Sequence, residues 1–177
     1  MNIGIVGHEG AKFTEDTRRI AQMCIRCIIA EKAGVPIGGT ISPQTLQGIT
    51  IVSGHCHLGG IDIWAEMFAE EMALPTLIFP PKQLSWERGY KPRNIAIAKN
   101  SDEVHVLVAR ALPESYKGMR FPSCYHCTKR GQKPIKDQPN LEKANGFGQV
   151  RIKSGGCWTA WYAVEKLNKP AYWYVIE

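Results

Sequence analysis

Apolar residues recur along this chain in two rhythms. Five short runs, at 2–7, 49–52, 75–80, 104–109 and 171–176, are almost continuously apolar and are bounded by Gly, Pro, Asn or Asp. Runs of that length and composition predict strands buried on both faces. The segments between them follow a helical period. Thr14 reads as an N-cap, with Glu15 and Asp16 in the first turn, and the helix after it is predicted to bury Ile20, Met23, Cys24, Cys27 and Ile28. A second helix presents Ile61, Ala65, Phe68 and Met72. A short one, after a polar loop over 86–94, ends near Asn100. The last, opened by Gly155-Gly156, presents Ala160, Ala163, Val164 and Leu167 and stops at Asn168-Lys169-Pro170. Strands alternating with helices predict an α/β, Rossmann-like, doubly wound domain, its mainly parallel sheet covered by helices on both faces.

Composition narrows the class. A chain of 177 residues, 44% hydrophobic and 21% charged, suits one globular domain spanning 1–177. No apolar run is long enough to cross a bilayer, and the chain opens on a strand rather than a leader, so a cytoplasmic protein is expected. Six cysteines in such a compartment favour thiols or a metal site over disulfides. The net charge of +6 is localised: residues 110–153 carry ten Lys/Arg against three Asp/Glu, and the remainder is nearly neutral. That basic stretch is read as an insertion at about 110–152, before the last helix. It suits either a nucleic-acid partner or a solvated loop.

In a parallel sheet, ligands collect beyond the carboxyl ends of the strands. Three loops there carry glycine and polar groups: 7–12, 53–62 and 153–159. Together with Arg93 they offer backbone N–H groups, the hydroxyls of Ser53, Ser154 and Thr159, and a guanidinium, a set suited to phosphate. Neither a Gly-x-Gly-x-x-Gly turn after the first strand nor a Gly-Lys-Ser/Thr P-loop occurs, which weighs against ordinary dinucleotide and NTPase sites.

These residues also carry a resemblance. Ser53-Gly54 followed by Gly60-Ile61-Asp62, then Arg93-Asn94 with Ile97-Ala98 and Ser101-Asp102, then Lys153-Ser154-Gly155 with Thr159-Ala160, resemble in order three sequence elements of the SLOG superfamily. The third is similar to that of its DNA-processing protein A branch, which binds single-stranded DNA. The resemblance implies a Rossmann-like nucleotide pocket lined by Gly54, Asp62, Arg93, Asn94, Gly155, Gly156 and Thr159, to which the strand-end loops add Gly7, Ser53 and Ser154, and it implies a homo-oligomer, most simply a homodimer. The phosphoribohydrolase branch carries a glutamate where this chain has Tyr162, and a glycine where it has Trp158. Binding is therefore expected ahead of N-glycosidic cleavage, and Glu9, Glu87 and Glu165 are the remaining acids to consider.

Two Cys-x-x-Cys pairs differ in setting. Cys24 and Cys27 fit the helical period and read as core. Cys124 and Cys127 lie among Pro122, Lys129, Arg130 and Gly131, where two thiolates could share a zinc ion with His55, Cys56 or His57, or remain free. The expected function is binding of a nucleotide-derived phosphate ligand, as sensor, carrier or adaptor, with its base against Trp158 or Trp161 unless those rings pack. The first alternative is single-stranded nucleic-acid binding. There Lys117, Arg120, Lys129, Arg130, Lys133 and Lys136 meet phosphates, and Tyr116, Phe121 and Tyr125 stack on bases. The second alternative is a nucleotide N-glycosidase.

Overall fold

A computed structural model describes residues 1–36, 39, 45–118 and 154–177. Five strands form one all-parallel sheet: β1 (Asn2–Gly7), β2 (Thr50–Ser53), β3 (Thr76–Ile78), β4 (Glu103–Ala109) and β5 (Ala171–Ile176), ordered β3-β2-β1-β4-β5. Ile3 pairs with Ile51 on one side of β1 and with Glu103 on the other. Helices α1 (Glu15–Lys32) and α2 (Ile61–Glu71) cover one face; α3 (Lys91–Asn100) and α4 (Gly155–Leu167) cover the other. The predicted α/β doubly wound architecture is what is observed. Cys124, Cys127 and most of the basic segment lie outside the described residues.

Position in the sheet explains each strand's composition. Central β4 is buried at every residue, and alternate residues of β1 feed the two cores: Ile3 and Ile5 on the α1 side, Val6 on the α4 side. Edge strand β3 is only three residues long, with Thr76 and Ile78 exposed. The chain forms α1 at Thr14 because a reciprocal cap closes it: Thr14 Oγ1 accepts from Thr17 N, and Thr17 Oγ1 accepts from Thr14 N at 2.8 Å. Asn168, in the left-handed region at φ 54°, ends α4. The next residue, Lys169, donates from Nζ to the carbonyls of Ala98, Lys99 and Ser101, satisfying the end of α3.

One helix face differs from its prediction. α1 buries Ala21, Ile25, Ile28 and Ile29, whereas Ile20 and Met23 are 40% and 61% exposed and Cys27 is exposed. Only Ile28 and half-buried Cys24 of the expected stripe face inward. The helix carries two adjoining apolar stripes. Periodicity reports that both exist, while the sheet takes the one richer in isoleucine. The polar loop expected before α3 is also more ordered than predicted. Residues Trp86–Tyr90 form a π-helical turn leading directly into α3, with Pro92 in the first turn, where no intrahelical N–H is needed.

Candidate functional site

The chain winds outward from β1 to β3, then returns to β4 and β5 on the other side, so the switch point lies between β1 and β4. Gly7 ends β1 there, paired with Leu107. The N-terminus of α4 stands directly above it. A Cβ on Gly156 would come within 3.0 Å of the Gly7 N and Cα atoms, and one on Gly7 would meet the Leu107 carbonyl at 2.0 Å. Both glycines are thus required by contact. Ser154 caps α4, its Oγ accepting from Cys157 N at 3.0 Å. The remaining N–H groups of that first turn have no intrahelical acceptor and carry the positive end of the helix dipole.

Arg93 reaches this point from α3 with its side chain 6% exposed. Nη2 lies 3.3 Å from Asp62 Oδ2 and Nε donates to Asn94 Oδ1 at 3.1 Å. Nη1 has no hydrogen-bond partner among the described residues. Gly54 exists to admit this group, since a Cβ there would stand 2.6 Å from Arg93 Cζ. Asn94 Nδ2 donates to the Gly155 carbonyl at 3.2 Å and ties α3 to the α4 turn. The Tyr90 ring covers the guanidinium with a centroid distance of 5.4 Å. Burial pushes the Asp62 carboxyl above its ordinary range, against the downward pull of Arg93. A desolvated cation whose single carboxylate partner is itself pushed toward neutrality is poised for an anion.

The structure brings Gly7, Gly54, Asp62, Arg93, Asn94, Ser154, Gly155 and Gly156 together around the carboxyl end of the sheet. Two hydroxyls expected there are engaged internally. Thr159, fully buried, donates to the Gly155 carbonyl at 2.9 Å, and Ser53 donates to Glu66 Oε1 at 2.6 Å. Both shape the loops from behind.

Lys12 joins the site without having been singled out in the sequence. Burial lowers its pKa, opposed chiefly by Glu9. Its position in the glycine-bearing loop after β1 was the available signal. Glu9 Oε1 accepts from the Tyr116 hydroxyl at 2.6 Å, and Lys12 Nζ sits 5.6 Å from the Tyr116 ring centroid. Tyr116 is therefore a buried wall, 8% exposed, and not the stacking surface expected of it. The other proposed nucleic-acid contacts, Lys117 excepted, lie outside the described residues.

Trp158 and Trp161 pack against each other with ring centroids 5.7 Å apart. Trp86 meets Trp158 edge-on at 5.4 Å, and Tyr162 stacks on it at 5.3 Å. The packing alternative describes these rings, and it occupies Tyr162 as well. Glu87 is exposed and pairs with Lys91 at 2.9 Å, and Glu165 is exposed. His55 and His57 take separate partners, Glu66 and Tyr90, and among the described residues no three metal-ligating side chains converge. His8 is a further buried group at the end of β1. Its Nδ1 accepts from Ala109 N at 3.1 Å, so the ring is the neutral Nε2–H tautomer, and burial lowers its pKa to about 3.

A cavity of about 280 Å³ formed by Phe13, Arg18, Gly59, Gly60 and Trp64 adjoins the loop glycines on the α1 side. No helix among the described residues is long and apolar enough to cross a membrane. Comparison with protein-family models, with curated proteins and with solved structures finds no match to the chain.

Proposed function

We propose that this protein binds the phosphate of a nucleotide or nucleotide derivative at the carboxyl end of its sheet, in the manner that its resemblance to the SLOG superfamily implies. The observation that carries this reading is Arg93, a buried guanidinium with a free Nη1 at the N-terminus of α4. Uncapped helix N–H groups, a fork-shaped cation and side-chain-free glycines are together what a tetrahedral oxyanion needs: donors from several directions and no steric obstruction. Lys12, in the loop that follows Gly7, is a second cation available from the chain near this end of the sheet.

The reading concerns binding, which is all that a sensor, carrier or adaptor requires of the site. Calorimetric titration with the four ribonucleoside 5′-monophosphates tests it. Binding that disappears in Arg93→Met is expected, and absence of heat with all four would overturn it.

A further inference from the structure

His55, in the loop after β2, and Glu66, on α2, form a pair of side chains that phosphate binding does not use. Glu66, on α2, is 12% exposed and engages two groups at once. One oxygen accepts from Ser53 Oγ at 2.6 Å, and the other lies 2.6 Å from His55 Nδ1. An ionised carboxylate can only accept, so Nδ1 holds its proton toward Glu66, and in the neutral ring Nε2 then presents a lone pair. The imidazole is 53% exposed and therefore reachable by a ligand. Its backbone stands at φ 46°, a region that is uncomfortable for a residue with a side chain. Gly54, whose backbone lies against the Arg93 guanidinium, is the preceding residue. A carboxylate-oriented imidazole thus follows directly in the chain on the glycine that packs against the cation of the candidate anion site.

We propose that His55, positioned by Glu66, is the general base for hydrolysis of the bound ligand's phosphate ester, so that the site turns over a nucleoside monophosphate. This rests on the phosphate-binding reading above. A water molecule gives a proton to His55 Nε2 while its oxygen bonds to phosphorus. The ester P–O bond breaks in line on the far side of phosphorus, its electron pair goes to the sugar oxygen, which takes a proton from solvent, and the imidazolium returns its own proton to solvent. The products are a nucleoside and inorganic phosphate, and His55 is regenerated neutral. Arg93 and the α4 N–H groups stabilise charge on the phosphoryl oxygens during the transfer. Glu66 is a positioning residue that fixes the tautomer and the ring plane.

The test uses the full chain with AMP, GMP, CMP and UMP, measuring calorimetric binding, inorganic phosphate and ribose 5-phosphate in parallel. His55→Gly is the informative variant, because glycine is at ease at this φ and leaves a hole the size of the ring. The expected result is phosphate release that falls about 100-fold or more in His55→Gly, at a dissociation constant within about threefold of the parent, and recovers on adding free imidazole. Glu66→Gln is expected to lower kcat about tenfold or more, leaving KM nearly unchanged. Binding without phosphate release, or release of ribose 5-phosphate alone, would overturn the proposal and leave the binding reading standing. Failure to bind any of the four would overturn both.

Discussion

Gly156 rests on Gly7 with no room for a side chain between them: its Cβ would lie 3.0 Å from two Gly7 backbone atoms and 3.2 Å from Val106 Cγ1. The contact sets the height of the α4 N-terminus above the sheet, and with it the depth of the candidate anion site. Gly156→Ala must lift that turn by a few tenths of an ångström, at an expected cost of about 1–3 kcal/mol. Gly7→Ala, which would press on the Leu107 carbonyl at 2.0 Å, is expected to cost more. Urea denaturation of the two variants gives the order. Equal costs would mean that the turn, not the strand, absorbs both.

Arg93 and Asp62 form a buried pair whose partners are unequal in their consequences. Arg93→Met removes the partner of a carboxyl that burial already holds above its ordinary pKa, so Asp62 must take up a proton or stay unpaired, at an expected cost of about 1–3 kcal/mol. Asp62→Asn added to it should recover part of that loss, since no charge then remains. A double-mutant cycle measured by denaturation checks the sign of the coupling.

The exposed stripe of α1 makes a direct contrast with the buried one. Ile25→Ala, at a fully buried position, is expected to cost about 2–5 kcal/mol. Met23→Ala, at 61% exposure, should stay within about 0.5 kcal/mol. Thermal or chemical melts of both separate the two faces.

Acid should destabilise the protein, and His8 is one identifiable cause. Its folded pKa is depressed from 6.5 to about 3 by burial and by Lys12, so the unfolded chain takes up a proton that the folded one refuses. Stability therefore falls as pH drops below 6.5 and stops falling, for this group, near pH 3. His105 acts in the same direction, its pKa lowered by burial against the pull of Glu103, while its Nε2–H donates to Glu103 at 2.8 Å. His8→Asn keeps an acceptor for Ala109 N and removes the titration. Its stability should decline less between pH 6.5 and 4, by up to about 1.4 kcal/mol per pH unit. Identical pH slopes in the two proteins would exclude His8 as a contributor.

Much of the fold could be read directly, because strand and helix impose different periods on the same alphabet. The continuous apolar runs located all five strands, and Thr14 and Asn168 marked helix ends through their own local hydrogen bonding and backbone preference. Glycines and polar residues at strand ends pointed to the carboxyl end of the sheet, where the structure gathers them. The side of α1 that would be buried could not be read, since Ile20 and Met23 are as apolar as their buried neighbours and only the sheet distinguishes them. Nor could the duties of Ser53 and Thr159, whose hydroxyls suit a ligand or a loop equally well and here serve loops.

The sequence by itself determined the elements, their order and the parallel layered class, because those follow from interactions within a few residues. The tertiary structure alone decided which chemistry meets. Glu66 meets Ser53 and His55, 13 and 11 residues away in the chain, only because the fold sets it between them. Lys12 lies over the Tyr116 ring, more than 100 positions away in the chain, only because the fold brings the two together. Arg93 became a buried anchor because Gly54, 39 positions earlier by number, leaves it the space of a missing side chain. Proximity across loops depends on packing that no short window of sequence contains, and burial then sets the electrostatics.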